Sequence, residues 1–177
     1  TGFSMEPERL AETMDGSAVQ WMRKKAAEKH IILTGSLIIE ENGKYLNRLV
    51  WMLPNGTCGV YDKRHLFGYA GETSQYEPGN KRLIAQVKGW KINLNVCYDL
   101  RFPVWARNTI QPGTNEPAYD LLVYVANWPE RRKTAWTTLL QARAIENQCF
   151  AIGVNRVGND GNNIYHSGES SLIDPLR

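Results

Sequence analysis

The chain has 177 residues, 42% of them hydrophobic and 22% charged, with a formal net charge of +3. That is the balance of a globular domain with a sizeable core. The charge is too small and too scattered to mark a nucleic-acid surface, and the densest basic run, Arg131-Arg132-Lys133, reads as a solvated loop. No apolar run reaches the length of a membrane span, and no signal-peptide pattern opens the sequence. Three cysteines, Cys58, Cys97 and Cys149, lie far apart without CxxC or Cys/His spacing, which argues against a zinc site or a disulfide framework and points to a reducing cytoplasm.

Taken in order, residues 1–15 read as irregular, with Pro7 and mixed charge. Ser17 is the expected N-cap of a helix over 18–30, with Val19, Met22 and Ala26 on one face. Residues 31–39 and 45–53 read as strands, and the turn Pro54-Asn55-Gly56 returns the chain into a third strand at 57–61, so this section is a meander. A long polar-aromatic loop follows to Gly79. Strands at 82–87 and 90–97, joined by Lys88-Gly89, form a hairpin.

A helix is expected to begin near Pro103, whose fixed φ suits a first helical turn. Residues 111–117, rich in turn formers, look like a loop insertion. Leu121–Ala126 is a continuous apolar strand broken by Asn127-Trp128-Pro129. Residues 134–149 carry Leu139, Leu140, Ala144 and Ile145 at helical spacing. A strand over 150–157, a turn at 158–161 and short strands around Ile164 and Leu172 close the chain. Strand pairs mixed with strand–helix units point to a layered α/β sandwich.

The chemistry centres on Cys97. Ile92, Leu94 and Val96 alternate with Lys91, Asn93 and Asn95, so Cys97 stands where a half-buried strand ends and a turn begins. Such a turn exposes a side chain and leaves backbone N–H groups free to receive an oxyanion. A cysteine is also commonly a small buried hydrophobe, and that alternative stands beside the reactive one. Lys63 at a strand end could lower a thiol pKa or stabilise an oxyanion, and Glu72 after Gly71 could relay a proton or position a substrate. Asp99 and Arg101 are read by default as a structural salt bridge. His30, His65 and His166 lack the local signature of a Cys/His hydrolase. Cys58 and Cys149 read as structural.

Four blocks occur in order: Tyr61-Asp62-Lys63-Arg64-His65-Leu66-Phe67, then Cys97-Tyr98-Asp99-Leu100-Arg101-Phe102-Pro103, Asn127-Trp128-Pro129, and Ala142-Arg143-Ala144-Ile145-Glu146-Asn147-Gln148. Together they resemble the nitrilase (carbon–nitrogen hydrolase) superfamily, and within it the omega-amidase branch. The resemblance implies a four-layer α-β-β-α sandwich and one carbon–nitrogen hydrolase domain over 1–177. It implies Cys97 as nucleophile, Lys63 as oxyanion-stabilising cation and Glu72 as the second glutamate. It also implies that the Tyr98 N–H completes the oxyanion hole, that Asn127 and Trp128 line the pocket, and that Arg143 and Glu146 form a structural pair.

The family's general-base glutamate falls, on this resemblance, upstream of the block that Thr1–Met5 matches, and further elements follow beyond Asp174-Pro175. The sequence is therefore expected to be an internal fragment, incomplete at both ends. The implied reaction cleaves a small carboxylic acid amide of the 2-oxoglutaramate or 2-oxosuccinamate type through a thioester, releasing ammonia, with no metal or organic cofactor. The alternatives are another C–N substrate (a nitrile, an N-carbamoyl compound or deaminated glutathione) or a catalytically dead binding or scaffold member. A small-molecule amide is the expected partner, with no nucleic acid or membrane, in a cytoplasmic homodimer or higher homo-oligomer.

Overall fold

The computed structural model describes residues 3–176. The chain divides into two compact units, Thr1–Leu83 and Ile84–Arg177.

The first unit contains α1 (Pro7–Leu10), α2 (Ser17–Lys29) and an antiparallel meander of β1 (Leu33–Glu41), β2 (Lys44–Met52) and β3 (Cys58–Asp62), in that order across the sheet. The expected meander is present, with each strand displaced by one or two residues. Asn42 and Gly43, with φ of 54° and 72°, form the tight β1–β2 turn, the geometry for which Asn-Gly is preferred.

The N-terminus of α2 departs from expectation. Ser17 is the first helical residue and not the cap, and Gly16 occupies the cap position. The capping oxygen comes from Glu12, which accepts the Ala18 N–H at 2.8 Å and the Ser17 hydroxyl at 2.7 Å. The Ala18 N–H and then the Ser17 hydroxyl hold the Glu12 carboxyl below its ordinary range. Glu12 is placed for this by backbone hydrogen bonds that tie it to Ile38 and Glu40 of β1. Val19, Met22 and Ala26 of α2 then pack on Ile39, Val50 and Met52, each full side-chain burial of Val or Met being worth about 1.5–3 kcal/mol. Pro7 opens α1, one helical turn where irregular chain was expected.

The second unit is built on a five-stranded sheet in the order β10-β7-β6-β5-β4, with β4 (Leu83–Val87), β5 (Trp90–Val96), β6 (Leu121–Ala126), β7 (Phe150–Asn155) and β10 (Ser171–Ile173). β5, β6 and β7 are parallel, and β10 runs antiparallel to β7. Parallel neighbours need crossovers. The first contains α3 (Pro103–Ala106), a one-turn helix that begins at Pro103 as expected. The second contains α4 (Lys133–Asn147).

α4 lies on the sheet at Gly153, where a Cβ would come within 2.6 Å of Trp136 Cζ2 and still closer to Leu140. Its buried face is Trp136, Leu140, Arg143, Ala144 and Asn147; Ile145, expected on that face, is 53% exposed because the helix turns it one position too far round. The strand expected over 150–157 stops at Asn155. Beyond it, β8 (Val157–Asn159) pairs with β9 (Tyr165–Ser167), so Gly158 and Asn159 lie in a strand and not in the expected turn. The turn instead forms around Asp160, whose carboxylate accepts the Asn162 and Ile164 N–H groups, both at 2.9 Å.

Each unit thus supplies one main sheet and one main helix covering a face of it, the α/β class expected from the strand–helix mixture. Among the described residues no helix is long and apolar enough to cross a membrane.

Candidate active site

Lys63 follows directly on β3. Its N–H donates to the Asn47 carbonyl at 2.9 Å, extending the β2–β3 ladder by one step, and its carbonyl accepts the Gly79 N–H at 3.0 Å. Gly79 is needed for that approach, since a Cβ there would lie 2.8 Å from the Asp62 Cβ and nearer still to the Asp62 carbonyl. The Lys63 side chain is 1% exposed and its Nζ meets Glu72 Oε2 at 2.6 Å, with Glu72 fully buried. Two charges survive such burial only when paired and hydrogen-bonded. The Glu72 carboxylate accordingly accepts two further bonds, from the Phe67 N–H at 2.6 Å and from Asn47 Nδ2 at 2.9 Å. Gly71, at φ 84°, makes the turn that drops Glu72 inward between two short 3-10 turns. Burial, and then the neighbouring Glu72 charge, push the Tyr76 hydroxyl well above its ordinary pKa. The Lys63 ammonium also lies 5.5 Å above the Phe3 ring. Lys63 and Glu72, chosen from separate loops in the sequence, are brought together.

Cys97 follows directly on β5, in the second unit. Val96 is extended, and Cys97 turns to φ 46°, the left-handed region that costs a residue with a Cβ about 1–2 kcal/mol. The chain continues as a 3-10 turn, Cys97–Arg101. The turn is pinned from two sides. The buried Asp99 carboxylate accepts the Val96 N–H at 3.0 Å, and Arg143 of α4 donates to the Leu100 carbonyl at 2.6 Å while pairing with Glu146 at 2.8 Å. The Arg143–Glu146 pair is thus present. The Arg101 guanidinium sits 5.3 Å above the Trp128 ring. Cys97 itself is half-buried.

β6 ends beside it, register pairing Val96 with Val125. Cys97 Sγ therefore comes within 3.9 Å of the Asn127 carbonyl. Tyr98 is half-buried, its ring edge-on to Phe102 at 5.3 Å. Asn127 is 9% exposed and its Oδ1 has no hydrogen-bond partner among the described residues. Trp128 is 4% exposed, with its ring against Trp136 at 5.5 Å and its indole N–H on the Arg132 carbonyl at 2.8 Å. The backbone of Trp128 is clamped on both sides by Asn155 at the end of β7, which accepts its N–H at 2.7 Å and donates to its carbonyl at 2.9 Å. Cys97, Asn127-Trp128 and Asn155 thus share one edge, the carboxyl ends of three adjacent parallel strands, where open α/β sheets bind ligands.

The other candidates lie elsewhere. His166 is buried in β9 with Nδ1 2.9 Å from the Ile164 carbonyl, and His30 caps α2 in a left-handed conformation. Cys149 is buried behind α4, and burial pushes its thiol up to about 12, which keeps it protonated and inert. Among the described residues no group of three or more His, Cys, Asp or Glu side chains could hold a metal ion. Asn47 and Asn155 escaped sequence reasoning. The available signal was weak: Asn47 stands beside Arg48 in the mixed strand β2, and Asn155 is the polar residue that ends the apolar strand β7.

The profile of the family described as carbon-nitrogen hydrolase matches residues 1–176. The chain belongs to the carbon-nitrogen hydrolase family. Among curated relatives of this carbon-nitrogen hydrolase, the omega-amidase YafV of Escherichia coli K12 is 45% identical over 175 residues, covering 99% of the chain and 65% of the relative. The 2-oxoglutaramate amidase of Bacillus subtilis is 35% identical over 179 residues, covering 99% of the chain and 66% of the relative. Among solved structures, XC1258 of Xanthomonas campestris, a CN-hydrolase superfamily protein carrying an arsenic adduct in its active site, superposes with a TM-score of 0.95. It is 48% identical, covering 99% of the chain and 67% of that protein. This carbon-nitrogen hydrolase chain therefore has the fold of its solved relatives, as the motifs implied, and spans about two thirds of the length of the relatives it matches.

Proposed function

We propose that the protein hydrolyses the C–N bond of a small carboxylic acid amide through a Cys97 thioester, releasing ammonia. The observation that carries this reading is the half-buried Cys97 thiol, held in a left-handed turn at the carboxyl edge of parallel strands. A general base takes the Sγ proton and the thiolate attacks the amide carbon. Lys63 is the cation assigned to the tetrahedral oxyanion, with the Tyr98 N–H as a further donor and Glu72 as the anion that orients Lys63. The C–N bond then breaks, ammonia leaves carrying the transferred proton, and water cleaves the thioester to free the acid and regenerate the thiol. Asn127 and Trp128 form part of the substrate pocket. No metal or organic cofactor enters the proposal.

The likeness to proteins named omega-amidase and 2-oxoglutaramate amidase supports a short dicarboxylic acid monoamide as substrate, 2-oxoglutaramate or 2-oxosuccinamate. The family match over residues 1–176 supports one hydrolase domain over residues 1–177. A cytoplasmic homo-oligomer completes the reading. The test is ammonia release from both amides by the full-length protein and by Cys97→Ala. Turnover lost by about 10⁴-fold or more in the variant is expected for removal of a nucleophile. Turnover that survives it overturns the thioester, and turnover of a nitrile or N-carbamoyl compound in place of both amides moves the substrate class.

A further inference from the structure

The Lys63–Glu72 pair hangs on one residue that no motif singles out. Asn47 lies in β2, 2% exposed. Its carbonyl accepts the Lys63 N–H at 2.9 Å, and its side-chain Nδ2 donates to Glu72 Oε1 at 2.9 Å. Glu72 Oε2 in turn receives the Lys63 ammonium at 2.6 Å. The contacts close a ring that runs from Lys63 backbone to Asn47 backbone, to Asn47 side chain, to Glu72 carboxylate and back to Lys63 Nζ. A strand residue fixes both ends of the lysine, its Cα and its charged tip. Building on the reaction proposed above, we propose that Asn47 is a positioning residue, setting where the Lys63 ammonium points by orienting the Glu72 carboxylate.

The other half of the Asn47 amide supports this reading. Oδ1 is buried and has no partner among the described residues. A side chain present for stability alone would have both halves of its amide satisfied or be replaced by an apolar one. Here the donor half is aimed at a charged group and the acceptor half is left over. Lys63 carries three N–H donors, and only a fixed carboxylate leaves the other two in a defined direction.

The test compares full-length wild type with Asn47→Ala, which removes the amide, and Asn47→Asp, which keeps its shape but loses the Nδ2 donor. Both variants are expected to lower kcat about 10- to 100-fold, as small misplacements of catalytic groups do, with KM within about threefold and with unchanged circular dichroism. Trinitrobenzenesulfonate labelling of Lys63, read by mass spectrometry, is expected to be slow in wild type and at least about fivefold faster in both variants, because the ammonium is no longer held. The proposal is overturned by wild-type kcat in either variant, or by unchanged Lys63 labelling. If wild type releases no ammonia from any amide, the reaction proposed above fails, and the labelling result alone decides the role of Asn47.

Discussion

The Lys63 block and the Cys97 turn solve opposite problems. At Lys63 the chain buries a cation and an anion completely, and every hydrogen bond around them is directed inward: Glu72 accepts from Lys63, Phe67 and Asn47. At Cys97 a small side chain is left half-exposed on a left-handed residue, and the bonds that matter go to its neighbours, Val96 through Asp99 and Leu100 through Arg143. Charge is held by saturating it, whereas the thiol is presented by fixing the backbone on either side. The first arrangement is intolerant of losing one partner; the second carries a local conformational cost.

The sharpest way to break the contrast is to remove half of the buried pair. Lys63→Met leaves the Glu72 carboxylate buried beside Asn47 and Phe67, and is expected to cost about 3–5 kcal/mol in urea unfolding. The double variant with Glu72→Gln is expected to recover much of that loss. In the second unit the largest stability effect is expected at Gly153→Ala, because α4 rests there through Trp136 and Leu140. Overpacking of this kind costs about 1–3 kcal/mol. Next is a gain: Cys97→Gly, which removes the thiol, is expected to stabilise by up to about 1 kcal/mol, since glycine tolerates φ 46°. A Cys97→Gly protein that is less stable than wild type would remove the conformational cost from the comparison.

The smallest expected effect tests the first unit at its surface. Glu12→Gln weakens the α2 cap by about 1 kcal/mol or less. The pKa of Glu12 is lowered in the folded chain by the Ala18 N–H and Ser17 hydroxyl, so its contribution is present above the ordinary carboxylate value of 4.5 and is lost as pH falls through the folded value. Wild type and Glu12→Gln stabilities should therefore differ most above pH 4.5 and converge as pH falls through the lower folded value.

Much of this was legible along the chain, and the failures share a cause. Alternation in β5 and the continuous apolar run of β6 located Cys97 and Asn127 at strand ends, because one strand's pattern contains that information. Lys63 was legible for the same reason, standing one residue past β3. The Glu12 cap was not, since its carboxylate reaches α2 only after backbone pairing to β1 has positioned it. Asn47 was invisible because its partners, Lys63 and Glu72, come from 16 and 25 positions along the chain and meet only when the meander closes. Ile145 was misplaced by a periodicity that could not see Arg143 and Asn147 taking the buried face for polar work, one on the Leu100 carbonyl and the other on the Asn108 N–H.

The strand order also has a consequence for how the chain is made. β1, β2 and β3 pair with their immediate successors across short turns, so that sheet can zip locally and early. β6 finds no partner until β5 has been brought back over the whole stretch from Cys97 to Asp120, and β7 must wait for α4 to be synthesised. Non-local parallel pairing of this kind is slow. Leu121–Ala126, an apolar run buried from Leu122 onward once folded, therefore depends on two non-local pairings for its cover, and stays exposed in nascent chain until β7 and α4 have followed it.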